Sequence, residues 1–139
     1  MPTSPAAPTA DIRRLLEDHP VWDGHNDLPW EMRAQAGYDL SRLDVGQRTT
    51  TTHTDLPRLR AGGVGAQFWS VFVPAALAGD AAVVATLEQV DFVWHLTSAY
   101  AAELALATSV ADVDAAWASG RIACLMGAEG GHSIGCSLG

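Results

Sequence analysis

The sequence predicts an α/β fold built on a parallel sheet. Two runs, 64–73 (VGAQFWSVFV) and 122–128 (IACLMGA), are apolar throughout instead of alternating, the pattern of strands covered on both faces. Segments with helical spacing separate them, so successive strands are joined by crossovers and run parallel. A third, shorter strand is expected at Val21–Trp22–Asp23, just before a polar turn at Gly24. About three strands cannot close a barrel, and a complete (β/α)8 barrel takes about 250 residues. The 139 residues therefore read as the N-terminal part of a TIM-type barrel, incomplete as given, with the last strand ending just before Glu129.

Each element has a local reason. Residues 1–8 (MPTSPAAP) are expected to be flexible. The flexible N-terminus is taken to residue 10, and 11–139 is taken as the barrel portion. Thr9 is placed to cap a short helix in which Ile12, Leu15 and Leu16 keep helical spacing to about Asp18, and Pro20 ends it. Residues 28–36 suit a helix with Pro29 in its first turn. The stretch 37–54 is polar and irregular, and its threonines at 49–52 read as a surface loop. Leu56–Ala61 predicts one or two helical turns closed by Gly62–Gly63. The longest helix is expected over 80–103, with Val83, Val84, Leu87, Val90, Asp91, Trp94 and Leu96 as its inward stripe. Ser109 with Asp112 resembles a capping box opening a helix at 110–118, with Gly120 as its stop.

Composition excludes several functions. Hydrophobic residues make up 48% and charged residues 17%, which predicts a packed core. The net charge is −8 and only eight residues are Lys or Arg, which argues against nucleic acid and against an anionic membrane surface. No apolar run approaches the ~20 residues of a membrane span, and Met1–Ala10 has neither the basic nor the apolar region of a signal peptide. A cytoplasmic location is the expectation. Cys124, inside an apolar run, is expected as a core residue, and Cys124 and Cys136 are too few for a disulfide scaffold.

The chemistry-bearing residues stand at strand ends. In Asp23–Gly24–His25–Asn26–Asp27, residues i and i+2 of an extended segment point the same way, so His25 and Asp27 would project together. An imidazole beside a carboxylate suits a divalent metal that accepts mixed ligands, zinc above all. The same five residues also fit a polar turn in which Asp27 caps the next helix. Glu129 follows the strand at 122–128 and could bridge two metal ions, or stand as a solvated junction residue. His132 fits a third ligand less well than a structural role beside Gly130–Gly131. His19, His53 and His95 read as structural or surface residues. Most aromatics of the central strand (Phe68, Trp69, Phe72) read as core. Trp30, three residues past the His-Asp pair, is the candidate for a substrate-pocket wall. The chain has no Walker, H-E-x-x-H or C-x-x-C pattern.

Three blocks, WDGHNDLPW (22–30), THTDLPRLRAGGVGAQFWSVFVP (52–74) and GAEGGHSIGCSLG (127–139), resemble the membrane dipeptidase family, also called renal dipeptidase. TLEQVDFV (86–93) fits it as well. The resemblance implies a (β/α)8 barrel with two zinc ions at the C-terminal face. His25 and Asp27 would ligate one zinc and Glu129 would bridge both, leaving the remaining ligands to later strands. The activity implied is hydrolysis of a dipeptide's peptide bond by a metal-activated bridging water, with Asp23, Gly24 and Asn26 shaping the loop around the ligands. The isolated chain is expected to be inactive, and a homodimer of the full-length enzyme is compatible with the resemblance. Two other readings stand beside it: another metal-dependent amidohydrolase of barrel fold, although those usually show H-x-H where this chain has H-x-D, and a non-catalytic, metal-free remnant.

Overall fold

The structure is a computed structural model that describes residues 9–138. The expected flexible stretch 1–8 therefore lies outside the described residues. Helix α1 (Ala10–Asp18) starts inside the segment expected to be flexible, because the Thr9 hydroxyl accepts from Ile12 N at 3.4 Å and caps it. Strand β1 (Val21–Asn26) follows and runs three residues further than the sequence predicted. Helix α2 (Leu28–Ala36) has Pro29 in its first turn and closes on Gly37 in the left-handed conformation (φ 61°), where a side chain would be strained. Helix α3 (Leu56–Ala61) leads into β2 (Val64–Phe72), and α4 spans Asp80–Ala99. Strand β3 (Leu104–Leu106), α5 (Val110–Ala118), β4 (Ile122–Glu129) and a 3-10 turn at Gly131–Ile134 complete the described chain.

All four strands are parallel in the order β1-β2-β4-β3. Strand β3 is a correction to the expected three. The long helix stops at Ala99, where Tyr100 N closes on Leu96 O, instead of running to 103. Glu103 N and Leu104 N then both turn back to Tyr100 O, which redirects the chain into a ladder pairing Leu104, Ala105 and Leu106 with Ile122, Ala123 and Cys124. Three residues are too few to show a strand period, and their Ala/Leu content continues the helical pattern, so pairing with β4 decided the outcome.

The two faces of the sheet are covered unequally. On one face α2, α3 and α4 bury Leu28, Met32, Leu56, Leu59, Phe92, Val93 and Leu96 against Trp69, Leu104, Ile122 and Cys124. On the other, α5 packs Val113 and Ala116 on Ala66 and Ala123, near the strands' N-terminal ends. Farther along that second face the side chains of Ser70 and Glu129 share a side with Ala66 and Ala123, by the alternation of the strands. The metal-ligand candidates stand there.

Helix α4 is also rotated from the expected stripe. Its buried residues are Ala82, Ala85, Thr86, Gln89, Phe92, Val93, Leu96 and Thr97, while Val84, Leu87 and Trp94 are more than half exposed. Small side chains at 82 and 85 let the helix approach the end of β2. The buried polar groups bond locally, Thr86 to Ala82 O and Thr97 to Val93 O, and the Gln89 amide donates to Phe72 O. The loop at 49–54 is also less of a surface feature than expected. Thr49 and Thr52 are buried around Asp55, whose fully buried carboxylate accepts from Thr49 N at 3.0 Å and Arg58 N at 2.8 Å and pairs with the Arg58 guanidinium. Cys124 is buried and Cys136 exposed, both as free thiols, and burial pushes the Cys124 thiol up to about 11.

Candidate metal centre

His25 enters the site from the end of β1, Asp27 from the first residue after it, and Glu129 from the end of β4. His25 Nε2 lies 3.2 Å from Asp27 Oδ1 and 3.6 Å from Glu129 Oε2. One donor atom from each of the three falls within 4.8 Å of the others. About half of each side chain is exposed, so the cluster opens to solvent at the C-terminal edge of the sheet.

Asp27 does occupy the N-cap position of α2, with φ −87° and ψ 17°, but its side chain makes no capping hydrogen bond. The neighbouring Asn26 Oδ1 accepts from Leu28 N instead, at 3.1 Å. That substitution leaves the Asp27 carboxylate turned toward His25. On Glu129, the buried Ser70 hydroxyl donates to Oε2 at 3.0 Å. An imidazole nitrogen and two carboxylates form a donor set that fits a borderline dication such as zinc.

His132 is not part of this group. Its Nε2 donates to Val73 O at 2.9 Å, so it pins the turn after β4 to the end of β2. Trp30 is half-buried and meets Phe72 edge to face at 5.3 Å between ring centres. Phe72 pairs in register with Glu129, which puts Trp30 one ring away from the cluster instead of in contact with it.

Two cavities flank the cluster. One, of about 400 Å³, is bordered by His25, Asn26, Asp27, Glu31, Thr51, Thr52, His53 and Thr54. The other, of about 370 Å³, is bordered by Gly24, His25, Phe68, Ser70, Gly127 and Glu129. Trp30 borders neither. Sequence reasoning missed Ser70 and Gln67 and placed His53 in a mere loop. The available signal was that Gln67 and Ser70 are the two polar side chains in the otherwise apolar run of β2.

A parallel α/β sheet that gathers an imidazole and two carboxylates at its C-terminal strand ends carries the donor set of a candidate metal centre. The comparisons then give the family. Residues 9–139 match the family model described as membrane dipeptidase (peptidase family M19), and the chain belongs to that family. It is 41% identical over 142 residues to dipeptidase 3 of Homo sapiens, with 98% of this chain and 28% of that protein covered. It is 45% identical over 124 residues to dipeptidase 3 of Mus musculus (89% of this chain, 24% of that protein). To dipeptidase verJ of Clonostachys rogersoniana it is 38% identical over 136 residues, with coverages of 91% and 35%. The chain thus spans about a quarter to a third of the curated relatives it matches.

Among solved structures, a metallo peptidase from Rhodobacter sphaeroides, liganded with a phosphinate mimic of the dipeptide L-Ala-D-Ala, superposes with a TM-score of 0.70 at 20% identity. That match covers 86% of this chain and 40% of the other. Dipeptidase AC, a metallo peptidase, superposes at 0.63 with 24% identity, covering 86% and 37%. These likenesses establish the α/β fold of the barrel portion.

Proposed function

We propose that the protein is a zinc-dependent dipeptidase, with His25 and Asp27 holding one zinc ion and Glu129 bridging it to a second. The observation that supports this most is the convergence of three donors from two strand ends, with Asp27 released from the cap that its position would otherwise demand. The names of the relatives and family membership agree with it. When bound, zinc supplies an acidified water and polarises a carbonyl.

The chain's own residues do the positioning. Ser70 holds one oxygen of Glu129, Oε2, through its hydroxyl. His25 Nε2 faces both carboxylates, and its backbone N–H is held by Asp23 Oδ1 at 3.2 Å, which fixes the ring's origin on β1. Trp30 would act through its edge contact with Phe72, backing that ring from behind.

The test uses the protein expressed from its whole gene. Zinc per chain and hydrolysis of simple dipeptides are measured before and after a chelator. Zinc-bound protein with chelator-sensitive turnover is expected. Undiminished turnover by zinc-free protein would refute the proposal. The 139-residue chain alone, with three donors for two ions, is expected to hold zinc weakly and to turn over no dipeptide.

A further inference from the structure

Gln67 is a fully buried carboxamide in the middle of an apolar strand. Burying an amide is costly unless its polar atoms are paired. Its Nε2 donates to Asp23 O at 3.3 Å and Phe68 O at 3.1 Å, and its Oε1 accepts from Asn26 Nδ2 at 3.4 Å. Asn26 in turn donates to Thr54 Oγ1 at 3.0 Å, and its Oδ1 accepts from Leu28 N at 3.1 Å. The bonds of this relay fall on the residues around the ligand pair: Asp23 two before His25, Asn26 between His25 and Asp27, and Leu28 just after Asp27.

The backbone ladder does not do this job. Pairing between β1 and β2 shifts register between Asp23 and Asn26, the interval that contains His25. A bulge frees a side chain to be re-aimed but loosens the strand that carries it. Gln67 crosses the irregularity from the neighbouring strand and ties both of its ends, Asp23 through the backbone and Asn26 through the side chain.

We propose that Gln67 is a positioning residue that sets the direction of His25 and Asp27 toward a metal ion, acting through Asp23 and Asn26 and touching neither ligand. This rests on the reading of His25 and Asp27 as ligands. Groups behind the ligands in such sites typically change metal affinity about 10–100-fold when removed.

The experiment compares Gln67→Met, Gln67→Glu, Asn26→Ala, the double variant Gln67→Met/Asn26→Ala, and Asp27→Asn in the protein expressed from its whole gene. Zinc affinity is read by chelator competition, and the melting temperature of the metal-free protein is read separately. Gln67→Met keeps the volume and loses all three bonds, so a loss of affinity of about 10–100-fold is expected at temperatures where it is folded. Gln67→Glu keeps the acceptor for Asn26 and is expected to lose less. In the double variant the second substitution is expected to weaken binding less than it does alone, since both break the same relay. If Gln67→Met melts lower but binds zinc within about twofold of the parent, Gln67 is only structural and the proposal fails. If Gln67→Met does not fold, unchanged affinity in both Gln67→Glu and Asn26→Ala overturns the proposal, and weakened affinity in both supports it. Intact affinity in Asp27→Asn sinks the ligand reading itself. Lost affinity there with intact affinity in the Gln67 variants sinks only the positioning role.

Discussion

The hydroxyl of Ser70 and the carboxylate of Glu129 join the ends of β2 and β4 across 3.0 Å, and the same oxygen of Glu129 stands 3.6 Å from His25 Nε2. Glu129 is therefore the point at which three strand ends meet. Glu129→Gln keeps the shape and the contact with Ser70 but removes the charge and one strong donor oxygen. In the whole protein this substitution is expected to cost one or both zinc ions and several orders of magnitude in kcat, with the melting temperature of the metal-free protein nearly unchanged because the side chain is half exposed. Asp27→Asn should behave alike, since its side chain caps nothing. Zinc content, turnover and melting temperature check both. A Glu129→Gln protein that keeps its zinc and turnover would show the bridging assignment to be wrong.

His132→Ala separates structure from chemistry. The ring is committed to Val73 O, so its loss should lower stability by about 0.5–1.5 kcal/mol while zinc affinity stays within about twofold. Urea unfolding and chelator competition on one preparation give both values. A loss of zinc without a loss of stability would point to His132 as a ligand after all.

Gly65→Ala should be among the most damaging small substitutions. A Cβ at Gly65 would lie 2.6 Å from Pro20 Cβ and 2.7 Å from Trp117 Nε1, and that indole donates to Gly65 O at 2.8 Å. Trp117 is itself held edge to face against Trp22 at 5.6 Å between ring centres. Relief requires moving two rings and a strand, and overpacking of this kind costs about 1–3 kcal/mol. A thermal shift smaller than that of a surface Gly→Ala control such as Gly131→Ala, where no atom lies within 4 Å of the added carbon, would contradict the packing.

Tyr100 gives a pH test. Its phenol is pushed up to about 12, first by burial and then by donation to Asp44 Oδ1 at 2.7 Å. An unfolded tyrosine ionises near 10. The folded pKa is the higher one, so the stabilising contribution is complete below about pH 10 and is lost as pH rises through about 12. Titration of tyrosinate absorbance should show a late-ionising phenol that Tyr100→Phe removes and Asp44→Asn moves down. The chain's other tyrosine, Tyr38, is also raised by burial, so the Tyr100→Phe difference spectrum is needed to assign the transition. A Tyr100 midpoint near 10 in folded protein would count against the contact.

Elements whose cause is local were legible in the sequence. Helix α2 carries Pro29 in its first turn, α3 closes at Gly62–Gly63, and α5 opens on Ser109 and stops at Gly120, because caps and left-handed turns depend on a few adjacent residues. The pairing of His25 with Asp27 and the strand-end place of Glu129 were legible for the same reason. Only the tertiary structure decided the rest. The rotation of α4 depended on which face the sheet would accept, since a helix apolar on several sides has no unique stripe. Strand β3 existed only because β4 offered it a partner. The convergence of Glu129 on His25, the anchoring of His132 on Val73 and the reach of Gln67 across a bulge are contacts between residues far apart in sequence, fixed by strand order and register, which no local pattern encodes.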